Sequence, residues 1–301
     1  MGDDALRERV LAWLREDCAF DDVTAQTLVP ATLHGTAVVR AKAEGVVAGL
    51  DVARAVFDAL DADVSFQPRV ADGDRVAVGQ IVAGVSGPCR ALLAGERVAL
   101  NILQRMSGVA SLTAHFVDAV DGTGARIFVT RKTMPGLRAF DLAAVRSGGA
   151  APHRDSLADR VLVKENHVAA ALMDGWATSM ADVAARLVGS DGHAAGGPDV
   201  PIGIEVTDLD ELRQALLPGV AVILVDNFTP ERCAEAVALR DAAFPDGGGP
   251  TIEASGGITL DNVRAFAEAG VERISVGAPT HSAVALDLSM KIVPARGAPT
   301  S

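Results

Sequence analysis

The feature that most constrains the fold of this chain is a regular alternation of short apolar segments and helical segments after Val120. Each apolar segment has the length of a buried strand, and the segments between them have the spacing of amphipathic helices. Strands are predicted at 126–129, 161–163, 202–206, 221–225, 251–254 and 273–276. Helices are predicted at 139–147, 169–188, 210–217, 230–244 and 260–269. This alternation indicates βα units around a parallel sheet.

The first 90 residues lack such a period. A helix is predicted over 1–20, because Leu6, Val10 and Leu14 recur at helical spacing. A strand at 36–40, a helix at 51–60 and apolar runs at 64–66 and 80–85 follow. A long helix is predicted over 96–120, interrupted at Gly108. Mixed elements of this kind favour an α+β sandwich. A loop is predicted at 189–200, which is rich in Gly, Asp and Ala.

Charge and composition narrow the possible partners. The net charge of −12 argues against nucleic-acid binding, which needs a basic face. No apolar run reaches the roughly 18–20 residues of a membrane helix. The acidic start, Met1-Gly2-Asp3-Asp4, lacks the basic region of a signal peptide. The three cysteines are scattered along the chain and suggest neither a metal site nor disulfides. A cytoplasmic location is expected.

Polar or glycine residues stand at the end of each predicted strand. Cations follow the first two strands, carboxylates close the next two, and glycine-rich turns follow the last two. In a β/α barrel the carboxyl ends of the strands form one mouth, where catalytic residues gather. The candidate site residues at these ends are Arg131, Lys132, Lys164, Glu205, Asp226, Ser255, Gly256, Gly257 and Gly277.

Lysine is rare in this chain, since four of its 27 basic residues are Lys and the other 23 are Arg. Lys132 and Lys164 inside polar motifs therefore suggest a need for a point charge or a free amine. Lys164 could attack a carbonyl as a Schiff-base lysine, hold a carboxylate, or serve a structural ion pair. The cations nearby in sequence, which include His153 and Arg154, favour binding of a polyanion.

The remaining candidates also admit two interpretations each. Glu205 and Asp226 could bind Mg²⁺ or steady a cationic transition state, or they could cap helices and pair with arginines. The glycine turns could cradle a phosphate through backbone N–H groups, and could equally be tight turns that need positive φ; the two interpretations are compatible. His153 is a structural or a functional histidine, and His281 is a further candidate for phosphate contact.

These residues resemble those of the quinolinate phosphoribosyltransferase family over nearly the whole chain. The matching segments run in order from the N-terminal part to the last glycine turn. They include Glu96-Arg97, Thr130-Arg131-Lys132-Thr133, His153-Arg154, Lys164-Glu165-Asn166-His167, Leu224-Val225-Asp226-Asn227, Glu253-Ala254-Ser255-Gly256-Gly257-Ile258 and Ser275-Val276-Gly277-Ala278.

The resemblance implies a two-domain α/β subunit. An α/β sandwich would comprise 1–110 and 282–301, and an open, TIM-like α/β barrel would comprise 111–281. It also implies a homodimer, or a multiple of dimers, in which Arg97 enters the neighbouring site. The implied reaction joins quinolinate to phosphoribosyl diphosphate with Mg²⁺, giving nicotinate mononucleotide, diphosphate and CO₂.

The resemblance also assigns roles by position. Arg131, His153, Arg154 and Lys164, with Arg97 of a second copy, would hold the two carboxylates. Lys132 would face phosphate or diphosphate, and Glu205 and Asp226 would serve the ribose or Mg²⁺. The 5′-phosphate would be held by Ser255, Gly256, Gly257 and Gly277, with His281 close by.

Several positions depart from the family's usual pattern, and three of them bear on the identity of the acceptor. Val129 stands in place of an Asp, Pro152 in place of an amide side chain, and Gly203 where a Glu is frequent. These departures leave other functions open. The acceptor could be a related aromatic carboxylate, or the chain could be an accessory protein similar to the molybdenum-associated ModD relatives. A Schiff-base aldolase acting through Lys164 is a third alternative.

Overall fold

The computed structural model describes residues 2–188 and 200–293. Its contacts divide the chain into two units. A sandwich unit comprises Met1–Ala114, Thr133–Gly149 and His281–Ser301, and a barrel unit comprises His115–Lys132 and Ala150–Thr280. The predicted barrel domain, 111–281, includes Thr133–Gly149, which the contacts group with the sandwich unit. All but the last residue of the predicted loop 189–200 lies outside the described residues.

The elements confirm the predicted order of strands and helices. The helices are Asp3–Glu16 (α1), Val23–Leu28 (α2), Leu50–Leu60 (α3), Cys89–Ala119 (α4), Arg138–Ser147 (α5), Glu165–Met173 (α6), Met180–Val188 (α7), Leu209–Ala215 (α8), Pro230–Ala243 (α9), Val263–Glu268 (α10) and Ala278–His281 (α11). The strands are His34–Ala41 (β1), Gly45–Val46 (β2), Ser65–Pro68 (β3), Arg75–Val76 (β4), Ile81–Pro88 (β5), Arg126–Val129 (β6), Ala151–Pro152 (β7), Val161–Val163 (β8), Ile202–Val206 (β9), Val220–Asp226 (β10), Thr251–Ser255 (β11), Arg273–Val276 (β12) and Leu288–Val293 (β13). Within the described residues, no helix combines the length and the hydropathy needed to cross a bilayer.

The sandwich unit is built on an antiparallel sheet with the order β13-β1-β5-β3. Alternate residues of β1, among them Val39 and Ala41, point into one hydrophobic core, as the period of a strand requires. Leu14 of α1 and Phe57 of α3 belong to the same core, and the Phe57 ring stacks on Phe66 at 6.0 Å between centroids. The predicted α+β arrangement is therefore present.

The long helix α4 corrects one prediction. It runs without interruption through Gly108, which was expected to break it. A Cβ atom at this position would lie 2.9 Å from the carbonyl carbon of Val284 and would clash with its oxygen. The glycine therefore permits a close approach of two chain segments, which is a tertiary requirement that helix propensity does not reveal.

The barrel unit contains seven parallel strands in the order β7-β6-β12-β11-β10-β9-β8, curled as part of an open barrel. Strand β7 was not predicted. It has only two residues and pairs with β6 at the edge of the sheet, where Pro152 is tolerated. The helix predicted over 169–188 is two helices, α6 and α7, and Gly175 between them has a φ of +70°.

Candidate active site

A cavity of about 560 Å³ opens at the carboxyl ends of the barrel strands. It is lined by most of the residues that the sequence singled out, together with several others. The lining residues are Thr130, Arg131, Lys132, His153, Arg154, Leu162, Lys164, Glu205, Leu224, Asp226, Asn227, Ser255, Gly256, Gly257 and Ser275. Strands of one parallel sheet bring these side chains together because their carboxyl ends share one edge.

Three of the predicted site residues do not line this cavity. Arg97 lies on α4 in the sandwich unit and is exposed. Gly277 directly follows β12 in the barrel unit. His281 is exposed at the end of α11, and its Nδ1 lies 2.6 Å from Oγ of Ser282. Their proposed roles stay predictions.

Arginines converge on one side of the cavity. Burial lowers the pKa of Arg154, and the positive charge of Arg131, which lines the same cavity, lowers it further. The Nε of Arg131 is buried and has no hydrogen-bond partner among the described residues. Two like charges held together, one with an unused donor, make a site that a bound anion would stabilise.

Lys164 follows β8 and forms an ion pair with Glu205 on the neighbouring strand β9. Its Nζ donates a hydrogen bond to Oε2 of Glu205, which is only 12% exposed. The backbone N–H of Lys164 donates to Nδ1 of His167 at 3.0 Å, which fixes the start of α6. Glu205 therefore orients Lys164 and compensates its charge, which favours a charge-binding role for Lys164 over attack on a carbonyl.

The turn after β10 is packed against the glycine turn after β11. Asn227 adopts a left-handed φ of +57°, and its backbone N–H donates to the carbonyl of Ser255 at 2.8 Å. Its side chain donates to Oδ2 of Asp226 at 2.7 Å, which orients that carboxylate. Gly256 has a φ of +89°, and a Cβ atom there would lie 2.8 Å from the backbone nitrogen of Asn227. Only glycine fits this contact.

Replacement of Gly256 by alanine is therefore expected to disturb the turn. The added methyl group must displace Asn227. This displacement would change the directions of the backbone N–H groups in the turn after β11. We expect the KM for phosphoribosyl diphosphate to rise at least about tenfold, as for a strained backbone position that costs ~1–3 kcal/mol. Gly79→Ala is the matched control, because Gly79 has the same φ of +89° but open space around its Cβ position. Equal effects of the two changes on this KM would contradict the assignment.

His153 directly follows β7 and forms part of the cavity wall. Its backbone N–H donates to the carbonyl of Val129 at 2.8 Å, and its side chain is largely buried. Nε2 lies 3.0 Å from Oε1 of Glu253, a fully buried carboxylate in the middle of β11. Burial would raise the pKa of Glu253, but His153, with Arg273 and Ser275, lowers it to about 2. Glu253 is thus an anion next to the cavity.

Five lining residues were not predicted as site residues: Thr130, Leu162, Leu224, Asn227 and Ser275. Leu162 and Leu224 lie two positions before Lys164 and Asp226, so they share a strand face with them. The period of two could have identified these residues once the strand ends were assigned. The contact between Asn227 and Gly256 joins two different turns, so only the folded chain reveals it.

The three departures from the family's pattern lie behind or beside the cavity. Val129 is fully buried, and Pro152 pairs with it across the β6–β7 edge; neither residue lines the cavity. Gly203 lies on β9, where a Cβ atom would approach Cδ1 of Leu162 at 3.2 Å. A glutamate at this position would displace Leu162, which lines the cavity. Gly203 therefore allows Leu162 to pack against β9 in the cavity wall.

Comparison with known proteins agrees with this geometry. The family model described as Quinolinate phosphoribosyl transferase, C-terminal domain, matches residues 109–291, and the model of the N-terminal domain matches 22–107. The carboxylating nicotinate-nucleotide pyrophosphorylase of Mycobacterium leprae is 39% identical over 292 residues, which cover 96% of this chain and 98% of the relative. The human protein of that name is 39% identical, over 96% of this chain and 92% of its own.

Solved structures give the same result. The crystal structure of NadC from Streptococcus pyogenes has a TM-score of 0.86 and 34% sequence identity, and the match covers 97% of each chain. The agreement therefore extends over both the sandwich and the barrel parts of the sequence. This chain belongs to the quinolinate phosphoribosyltransferase family.

Proposed function

We propose that this protein transfers the phosphoribosyl group of phosphoribosyl diphosphate to quinolinate and releases diphosphate and CO₂, giving nicotinate mononucleotide for NAD biosynthesis. The observation that carries the proposal is the charge of the cavity. Four cationic side chains and two carboxylates line it, in a protein whose net charge is −12. A concentrated positive site in an acidic protein suits substrates that are themselves polyanions.

The acceptor would bind where the cations converge. Arg131 and Arg154 would each bind a carboxylate of quinolinate, because a guanidinium matches the planar carboxylate geometry. Lys164 would add a point charge, and His153 would border the same acid. Arg97 of a second copy would complete the acceptor side.

The donor, phosphoribosyl diphosphate, would bind at the glycine turn Ser255-Gly256-Gly257, which forms the glycine side of the cavity. The backbone N–H groups of Ser255-Gly256-Gly257 would hold the 5′-phosphate, and Lys132, which is exposed at the rim, would face the diphosphate. Gly277 and His281 are proposed to contribute to the same phosphate. The ring nitrogen of quinolinate and C1 of the donor ribose would then meet between the glycine side and the cations that hold the acceptor.

The chemistry follows from this placement. The ring nitrogen attacks C1 as diphosphate leaves, through an oxocarbenium-like state that the carboxylates of Glu205 and Asp226 would stabilise. The N-ribosylated ring is cationic, so loss of CO₂ from the adjacent position leaves an ylid that the ring charge stabilises. Most of the contribution of the protein would thus be positioning and charge neutralisation.

The same two carboxylates would serve Mg²⁺. The described residues contain no group of three or more His, Cys, Asp or Glu side chains arranged to hold a metal. Mg²⁺ is ordinarily held by one or two carboxylates together with substrate phosphates, so this donor set fits an ion that arrives with the diphosphate. Glu205 and Asp226 would be its protein partners, and the ion would neutralise the leaving group.

A homodimer is also proposed on the family resemblance, and a cytoplasmic location on the three scattered cysteines, which suggest no disulfide framework. Sedimentation of the purified protein would measure the oligomer directly. A monomer that is fully active would contradict the proposed role of Arg97.

The decisive experiment supplies the purified protein with Mg²⁺, phosphoribosyl diphosphate and quinolinate, and follows both CO₂ and nicotinate mononucleotide. Nicotinate and other aromatic acids are assayed in parallel, because a related acceptor is the first alternative. Faster turnover of another acid would move the assignment to that acceptor. Absence of turnover with every acid would favour an accessory protein similar to the ModD relatives.

A further inference from the structure

A buried charge network lies directly behind the cavity wall. Its centre is Glu253, whose side chain is 0% exposed. Oε1 of Glu253 accepts a hydrogen bond from Oγ of Ser275, and Oε2 accepts one from Nε of Arg273 at 2.6 Å. The guanidinium of Arg273 lies 3.4 Å from the ring centroid of Phe128, which holds it in place. The orientation of the carboxylate is therefore determined from several sides.

His153 connects this network with the cavity. It is 8% exposed and lines the cavity, whereas Glu253 and Arg273 do not. Its Nε2 lies 3.0 Å from Oε1 of Glu253, but the contact is not aligned as a standard hydrogen bond. Active-site hydrogen bonds are often poorly aligned in ligand-free proteins and tighten when substrate binds. A small rotation of the ring would align this contact.

A carboxylate behind an imidazole has two consequences. It favours a proton on the nitrogen that faces it, and it holds the ring so that the second nitrogen points the other way. The low pKa of Glu253, about 2, keeps that carboxylate charged over the whole neutral range. Arg273 pairs with Glu253, the charge of Arg160 also interacts with Glu253, and Arg154 follows His153 in the chain.

We propose that Glu253 is a positioning residue for the acceptor: it fixes a proton of His153 on Nε2 and favours the doubly protonated ring, whose Nδ1–H donates a hydrogen bond to a carboxylate of the acid bound in the cavity. This inference rests on the proposed function for the identity of the acceptor. It makes a buried residue, outside the cavity lining, responsible for part of the affinity for that acid.

The test is Glu253→Gln, which keeps the shape of the side chain and removes its charge. The KM for quinolinate is expected to rise about 10–100-fold, the range for a lost hydrogen bond to a charged group. The KM for phosphoribosyl diphosphate is expected to stay within about twofold, since the glycine side is untouched. Equal increases in both KM values would indicate a general structural defect and would overturn the proposal.

Two further variants isolate the role of His153. Glu272→Gln is the matched control, because Glu272 directly precedes β12, pairs with Arg240 at 2.7 Å and does not line the cavity; both KM values should match the wild type. In a His153→Asn background, Glu253→Gln should add less than about a twofold change in the KM for quinolinate. A full additional effect there would show that Glu253 does not act through His153.

Removal of the Glu253 charge takes away the carboxylate partner of Arg273, whose side chain is 15% exposed, and this loss could unfold the protein. In that case Ser275→Ala, which keeps the charge and removes one hydrogen bond, should raise the KM for quinolinate about threefold. An unchanged KM in this folded variant would contradict the proposal.

NMR of ¹⁵N-histidine-labelled wild type supplies a readout that is independent of turnover. We expect a protonated Nε2 at His153, and an unprotonated Nε2 would overturn the inference. If the wild type does not use quinolinate, the proposed function fails, while this spectrum still decides the role of Glu253.

Discussion

Replacement of Lys164 by alanine is expected to abolish measurable turnover of quinolinate, with kcat/KM lowered about a thousandfold; this factor corresponds to ~4 kcal/mol, within the ~2–5 kcal/mol or more that truncating one member of a charge pair costs. Two losses combine in this variant. The acceptor loses a cationic contact, and Glu205 loses the ammonium group that compensates its charge in the ligand-free protein. An uncompensated carboxylate would then repel a doubly charged acid in the same cavity.

The measurement is steady-state kinetics with both substrates, together with circular dichroism to verify the fold. Lys291→Ala is the control, since Lys291 is exposed on β13 in the sandwich unit and is one of only four lysines. A Lys164→Ala protein that keeps more than a tenth of wild-type activity would refute the assigned role. Borohydride trapping of the wild type with a carbonyl compound would instead support the aldolase alternative.

Replacement of Arg131 by alanine is expected to have the second-largest effect, with kcat/KM for quinolinate lowered about a hundredfold to a thousandfold, as for loss of a charged bidentate contact. The structure gives the reason. Arg131 lines the same cavity as Arg154, and its buried Nε has no hydrogen-bond partner in the described part of the chain, so its favourable interactions are completed only when an anion binds. Without substrate the variant should be at least as stable as the wild type, because one of two repelling charges has been removed.

This combination of lost activity and retained stability distinguishes a binding residue from a structural one. Thermal unfolding of Arg131→Ala should give a midpoint no lower than that of the wild type. Arg131→Lys should recover only part of the activity, because an ammonium group cannot form the paired contact of a guanidinium. Arg213→Ala, at an exposed ion pair with Asp210 on α8, is the control and should change neither property appreciably. A large drop in the unfolding midpoint of Arg131→Ala would assign Arg131 to the structural framework.

The local sequence determined the strands and the residues at their ends. Short apolar runs can satisfy their backbone and bury both faces only inside a parallel sheet, so their positions follow from the pattern. Lys164, Asp226 and Ser255 stand at or directly after predicted strand ends, and parallel strands must bring such residues to one edge. The glycine of the turn, Gly256, was predictable because a positive φ needs no long-range information.

The tertiary structure alone decided which side chains meet. Lys164 and Glu205 are 41 residues apart in the chain and pair because β8 and β9 are neighbours in register. Glu253 was visible in the sequence only as part of a matching segment, and its contact with His153 depends on the curl of the sheet, which brings β11 behind the end of β7. Local patterns fix the period and direction of each strand, but partners across a sheet depend on strand order and register, which are set by packing of the whole domain.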